Sequence, residues 1–432
     1  MRERFALSRG AGAIAALAAY DLWLLAFPLQ GYFLLKAGGK GNFAWFVVPH
    51  TAGLFLTGVF GHRMGFPVLS RWAGLLVSLL TAIYPFAPAG AEDALMIPVG
   101  AASALLIVRI ACLLSDSRDP PLASALGLAL GNVLLGMTLL FDPPKEILFP
   151  LLGFLLLIQM VAPFPEQRPE PLADLKRYLP FIFAFYLLIG TFYVCLMPAY
   201  LEYRYLSGVE LVFYIGAVLA SATLFRRKPD YSLAVGVGMG VFAVAFLHEF
   251  NRLTSNLAMY AVQAAAGFMD VFCFGLFIRG RDVVRRFGLG AGAMLLGPTV
   301  GLPVLYSERW PMLMCVGGNL VLGLGLILFY LVQTTVRRRE VVSPREKTAP
   351  ASPVDETRLA EACRALGTPR ELFSYREWET LKLALAGKPI REIASALGLS
   401  ESSVKTYLQR VYRKLGVSSK SELIRKLGSL AG

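Results

Sequence analysis

Twelve apolar runs, each close to the ~20 residues that cross a bilayer core, fill the chain from Ala11 to about residue 333, and no other feature restricts its fold as much. Their limits are roughly 11–35, 43–61, 68–87, 94–114, 121–141, 147–164, 179–198, 208–225, 231–248, 256–278, 288–306 and 311–333. Backbone polar groups in hydrocarbon must be satisfied within their own segment, so these runs predict helices. The first lies behind Arg2, Arg4 and Arg9, but it is too long for the core of a cleaved leader and further runs follow, so it reads as a retained helix. With 56% hydrophobic and only 16% charged residues, the chain is expected to be all-α and embedded in a membrane over most of its length.

The loops fix an orientation. Placing the N-terminus inside puts Arg63, Arg71, Arg118, Arg168, Lys176, Arg177, Arg226 to Lys228, Arg279, Arg281, Arg285, Arg286 and Arg337 to Arg339 on the same side as the first arginines. The other side keeps Lys36, Lys40, Lys145, Arg204, Arg252 and Arg309. An even number of spans returns the C-terminus to the inside. The expected domains are therefore 1–336 in the membrane, a basic, proline-containing linker over 337–354, and a C-terminal domain over 355–432 with its core at 373–430. A polar connection from Pro165 to Arg177 divides the spans six and six, into halves of about 11–164 and 179–336.

Six plus six spans with basic loops on one side resemble the major facilitator superfamily. Gly58-Val59-Phe60-Gly61-His62-Arg63-Met64-Gly65 is similar to that superfamily's loop between the second and third spans. His62 stands where the family has an aspartate, and Phe66-Pro67 stand where it has basic residues. The aspartate contributes to a latching charge contact that a neutral histidine cannot make, so this departure from the family implies a fold that keeps the transporter shape while losing the transport cycle.

The C-terminal domain carries helix punctuation. Ser374 and Glu377 have capping-box spacing ahead of Trp378, Leu381 and Leu385, and Gly387 ends that helix. Pro389 starts a second helix with Ile390, Ile393 and Leu397, and Gly398-Leu399-Ser400 turns the chain into a third. In the third, Val404, Leu408, Val411 and Leu415 mark a core face, leaving Ser402, Lys405, Thr406, Gln409 and Arg413 on the other. Those polar and cationic groups suit a helix lying in a major groove. The stretch resembles the LuxR/FixJ-type helix-turn-helix in Glu377, Gly387, Ile393-Ala394, Leu399-Ser400, Val404-Lys405 and Lys414 to Val417.

That resemblance implies a small four-helix module. It implies base contacts from Lys405, Thr406 and Gln409, and phosphate contacts from Ser402, Ser403, Arg410 and Lys414. It further implies double-stranded DNA as partner, pairing of two copies through a C-terminal helix bearing Leu423, Ile424, Leu427 and Leu430, and RNA polymerase as a candidate partner. A short helix over Asp355 to Leu366, carrying Leu359, Cys363 and Leu366 on one face, leads into it.

Ionisable residues at membrane depth are functional candidates by default, and Asp21, Arg109 and Asp270 lie there. If the first and fourth spans are neighbours, Asp21 and Arg109 can pair, either as a structural ion pair or as part of a ligand or switch site. Asp270 is the better candidate for reading a cation or proton. His248-Glu249 and Glu210 fall at span ends. Asn132, Gln159, Gln263 and Asn319, with Tyr20, Trp23, Tyr186, Tyr193 and Tyr260, either line a cavity or hold helices together.

Cys112, Cys195, Cys273, Cys315 and Cys363 show no metal or disulfide spacing. No nucleotide, zinc or nucleophile motif appears, so neither a cofactor nor an enzymatic activity is expected. The combined reading is a one-component transcription regulator in the cytoplasmic (inner) membrane of a bacterium, with both termini in the cytoplasm. Its membrane domain, held in the lipid bilayer, would sense an unidentified small molecule in or across the membrane. The alternative is a working secondary transporter whose tail binds DNA or protein.

Overall fold

The computed structural model describes residues 2–29, 43–88, 90–160, 162–246, 250–305, 316–325, 327, 355–386, 388–417, 419, 422–423 and 426–427. All regular structure among them is helical. Contacts divide the chain into two compact units, Met1–Phe329 and Tyr330–Gly432. The expected linker at 337–354, with Arg337 to Arg339, lies outside the described residues, as do His248-Glu249, Arg309 and Cys315.

The first unit contains α1 (Arg2–Leu24), α2 (Phe43–Phe60), α3 (Phe66–Ile83), α4 (Glu92–Ser115), α5 (Pro120–Phe141) and α6 (Lys145–Leu155). It continues with α7 (Ala173–Tyr203), α8 (Val209–Arg227), α9 (Pro229–Val244), α10 (Arg252–Phe277), α11 (Val283–Leu305) and α12 (Val316–Gly325). Eight of the helices are long and apolar enough to cross a membrane, and α9 and α12 are shorter apolar helices. Trp72, Leu79, Phe154, Val212 and Leu320 are exposed apolar side chains, the surface that lipid covers.

Most helices lie where the apolar runs predict them, and some boundaries do not. The first helix starts at Arg2 and passes at Leu25 into a π-helical turn that contains Pro28. A proline inside a helix removes an amide donor, and the wider turn accommodates it. The sixth run is α-helical only to Leu155 and tightens into a 3₁₀ segment at Leu156–Met160. The central connection ends earlier than expected, because Lys176 and Arg177 belong to the first turns of α7.

The packing repeats. α1 packs along α5, α2 along α4 and α3 along α4; six helices later α7 packs along α11, α8 along α10 and α9 along α10. An internal repeat of this kind places two similar bundles about a pseudo-two-fold axis. The bundles meet through α2–α11 and α5–α8, pairs that the same axis exchanges. Gly58 and Gly288 face each other there, and a Cβ on Gly58 would stand 2.7 Å from Leu289 N. Only glycine lets the two backbones come so close. Arg226 at the end of α8 and Asp119 before α5 form an ion pair at the same end, which carries the basic loops.

The second unit contains α13 (Glu356–Ala365), α14 (Tyr375–Leu385), α15 (Ile390–Leu397) and α16 (Glu401–Leu415). The expected caps at Ser374, Gly398 and Ser400 are in place, and Asp355 adds one beyond those expected. Asp355 accepts from Thr357 N at 2.9 Å. Ser374 and Glu377 cap each other's amides at 3.2 and 2.8 Å. Ser400 accepts from Ser403 N at 3.2 Å. Gly398 and Gly416 end α15 and α16 with φ of 63° and 62°. Gly387, Ile424 and Leu430 lie outside the described residues.

Two small cores hold this unit. Leu359, Cys363, Phe373, Trp378, Leu381, Val411, Leu415, Leu423 and Leu427 form one, and Ala384, Ile393, Ala394, Val404 and Leu408 form the other. α16 runs through both. Leu423 and Leu427 of the C-terminal apolar stripe are fully buried inside this unit and help to close its core.

Candidate functional site

α16 presents its outer face as its periodicity requires. Val404, Leu408, Val411 and Leu415 are buried, whereas Ser402, Lys405, Thr406, Gln409 and Arg410 are exposed and Ser403 is half-buried. Because Ser400 caps the helix and the hydroxyls of Ser402 and Ser403 lie 2.8 Å from its own, the first turn offers a cluster of three hydroxyls. Thr406 Oγ1 donates to Ser402 O at 3.0 Å, leaving its oxygen as an acceptor. The Arg410 guanidinium lies over the Tyr407 ring, 5.9 Å from its centroid. α15 and the turn at Leu399, whose N–H donates to Ala394 O at 2.9 Å, brace the start of this helix.

Lys414, expected on a phosphate, also has partners within the unit. Its ammonium donates to Glu377 Oε2 at 2.5 Å and to Leu372 O at 2.8 Å, while its side chain stays 35% exposed. Glu377 is almost fully buried, and burial alone would raise its pKa. The hydrogen bonds and charge of Lys414, with the Ser374 amide, overcome that and hold the carboxyl below the usual range. A buried carboxylate needs a cation, which decides where this ammonium lies.

The intramembrane candidates also separate. Asp21 and Arg109 do not pair. Asp21 Oδ2 accepts from Asn132 Nδ2 at 2.9 Å, linking α1 to α5. Arg109 points instead toward the basic end, where it donates to three carbonyls at 3.4 Å: Gln159, Pro67 and Ala162. Its guanidinium also faces the Phe164 ring, 5.6 Å from the centroid. Three carbonyl acceptors and a ring replace a carboxylate partner.

Asp270 on α10 accepts from Tyr186 of α7 at 2.5 Å and from Tyr214 of α8 at 2.7 Å. Among the described residues no basic side chain pairs with it. Asn132, which holds Asp21, lies on α5, and Tyr214, which holds Asp270, lies on α8, so each acid is bonded to one helix of a pair through which the halves meet. Of this cluster the sequence indicates Tyr186 and Asn132 but not Tyr214, which no local pattern distinguishes from other tyrosines. Nor does it single out His50, buried on α2 with Nδ1 2.7 Å from Ser103 Oγ and 3.1 Å from Gly100 O. Glu356 is equally silent in the sequence, although its Oε1 accepts from the buried Trp378 Nε1 at 2.9 Å and fixes α13 onto α14.

Among known families, the bacterial regulatory proteins of the luxR family match residues 371–427. The spore germination protein GerE of Bacillus subtilis is 34% identical over 58 residues, covering 13% of this chain and 78% of GerE. The chain belongs to the luxR family of bacterial regulatory proteins. This luxR-family domain is also 36% identical over 89 residues to the probable regulator GfsR of Streptomyces halstedii, covering 20% of this chain and 36% of GfsR. It is 46% identical over 55 residues to the transcriptional activator ExpR of Dickeya dadantii, 13% of this chain and 22% of ExpR. The chain thus spans about a third or less of GfsR and ExpR.

Outside the luxR-family domain, the fold is that of major facilitator transporters. A structure described as the transporter FucP in the outward conformation aligns with a TM-score of 0.56 at 12% identity, covering 74% of this chain and 98% of FucP. A bacterial homologue of the iron transporter ferroportin, described as outward-facing, aligns with a TM-score of 0.51 at 15% identity, covering 75% of this chain and 99% of that protein.

Proposed function

We propose that this protein is a membrane-bound one-component transcription regulator, in which a transporter-shaped domain senses a small molecule and its state alters DNA binding by the luxR-family domain. The observation that carries the reading is the exposed Ser402, Lys405, Thr406, Gln409 and Arg410 face on α16, joined in one chain to a two-bundle membrane fold. No signalling domain intervenes among the described residues, so the coupling runs through the chain itself or through pairing of two copies. A ligand acts by favouring one membrane state over the other. Asp21 on α1 and Asp270 on α10, one in each half, are the proposed ligand or proton contacts, with Arg109 in a positioning role.

The one-sided distribution of basic loops supports both termini lying in the cytoplasm, at a bacterial inner membrane where chromosomal DNA meets the lipid surface. The proposed protein is not an enzyme. Pairing of two luxR-family domains would use the outer side of the C-terminal helix, because Leu423 and Leu427 already close the core. RNA polymerase is the proposed downstream partner.

A second reading, a transporter with a regulatory tail, is favoured by one feature: two intramembrane acids, buried Asp21 and half-buried Asp270, bonded to side chains on α5 and α8, helices through which the halves meet. The deciding experiment maps DNA crosslinked to the full-length chain beside a Lys405→Ala control. Discrete peaks lost in the control support regulation. A blank map, together with substrate flux in vesicles that Asp270→Asn abolishes, would favour the transporter.

A further inference from the structure

The connection between the halves is clasped at both ends. On the first half, Arg109 donates to Gln159 O and Ala162 O, and Phe164 packs between that guanidinium and Phe66, whose ring centroid is 5.6 Å away. On the second half, the same connection runs beside the turn between α10 and α11. Arg168 N donates to Arg281 O at 2.8 Å, Arg281 N to Glu170 Oε2 at 3.0 Å, Val283 N to Gln167 Oε1 at 2.9 Å and Glu170 N to Asp282 Oδ2 at 3.4 Å. Gly280, with φ of 80°, leaves room for the Glu170 carboxylate against its Cα.

We propose that residues 162–170 are a strap that holds the two halves closed at the basic end, and that its release is the step permitting the membrane unit to change state. The reason is one of reach. From Phe164 to α7 at Ala173 the free chain can extend ~30 Å, enough to follow a rocking motion. With Gln167 anchored to the α10–α11 turn, only three residue steps separate the two attachments, a reach of ~10 Å. Parting the basic ends of α2 and α11 therefore requires breaking either the Arg109 clasp or the ladder at 280–283. The ladder is the weaker of the two, because water competes for its exposed Arg281–Glu170 bond, whereas the Arg109 side chain is fully buried.

Such a strap rests on the proposed function only in requiring a two-state membrane unit, and the experiment reads that unit alone, so failure of DNA binding leaves the strap standing. The full-length chain in lipid nanodiscs carries Thr57→Cys, a buried α2 position near the basic end, or Thr81→Cys, buried within the first half. Modification by a water-soluble maleimide is followed at each site by mass spectrometry. Gln167→Ala with Glu170→Ala is expected to speed modification at position 57 by about tenfold, the effect of losing two ordinary hydrogen bonds, and to leave position 81 unchanged. Glu170→Gln, which keeps an acceptor for Arg281 N, should restore much of the slow rate. Arg168→Ala, which leaves the main-chain bond intact, should have no effect. An unchanged rate at position 57, or an equal rise at both positions, overturns the proposal.

Discussion

Lys414 of α16 and Glu377 of α14 form a 2.5 Å charged hydrogen bond that joins the end of α16 to the first turn of α14. The Glu377 side chain is 5% exposed and the Lys414 side chain 35% exposed, so this pair belongs to the scaffold of the domain. Two lysines on one helix, Lys405 and Lys414, therefore have different duties.

Substitution should separate those duties. Lys405→Ala is expected to leave domain stability within ~0.5 kcal/mol, while weakening DNA binding and lowering its salt dependence by about one ion. Lys414→Met should destabilise the domain by about 2–3 kcal/mol, less than the ~3–5 kcal/mol of a fully buried broken pair because Lys414 is partly exposed. Hydrogen exchange of the α14 amides in the full-length protein, alongside DNA titrations at several salt concentrations, measures both. Equal exchange in the two variants would contradict the assignment.

The same pair sets an acid limit. Glu377's folded pKa is lowered, so its contribution is fully present above the unfolded carboxylate value of about 4.3 and is lost as pH falls through the lower folded value. Exchange protection of α14 should hold from pH 7 to about 5, after correction for intrinsic rates, and decline below about 4. In Lys414→Met the favourable partner is gone, and the protection lost over the acid range should shrink. Acid sensitivity identical in both forms would mean that other carboxylates govern it.

In the membrane unit, the two hydroxyls on Asp270 can be removed without changing its carboxyl. Tyr186→Phe with Tyr214→Phe leaves a half-buried acid with neither donor, at a cost of about 1 kcal/mol per lost partner. Asp270→Leu in that background removes the orphaned acid and should recover part of the loss. Thermal melting in nanodiscs gives the order: original chain highest, the double phenylalanine variant lowest, the triple variant between. A triple variant no more stable than the double would show that the tyrosine hydroxyls answer to something other than Asp270.

One part of this molecule is far more legible in its sequence than the other. α16 has a narrow apolar stripe at 404, 408, 411 and 415, which sets the direction of every other side chain on the helix, so its exposed face follows from residue spacing alone. A membrane helix such as α4 is apolar all round and has no stripe to set its phase. Arg109 can therefore be placed in a span but not aimed, and it faces the end of α6 instead of Asp21. Tyr214 and Asp270 are 56 residues apart and meet only through tertiary packing. Lys414 escapes the sequence for a related reason: its spacing fits a surface role, and nothing local reveals that Glu377, on another helix, is buried beside it.

The two small cores of the luxR-family domain bear on how such a chain can arise. The segment entering the domain docks through Leu359 and Cys363 into one core, while the first turns of α16 rest on the other through Val404 and Leu408. Exchanging whatever precedes Asp355 by recombination leaves the second core and its reading face untouched. A domain built this way keeps the exposed side of α16 intact whatever segment is joined ahead of it.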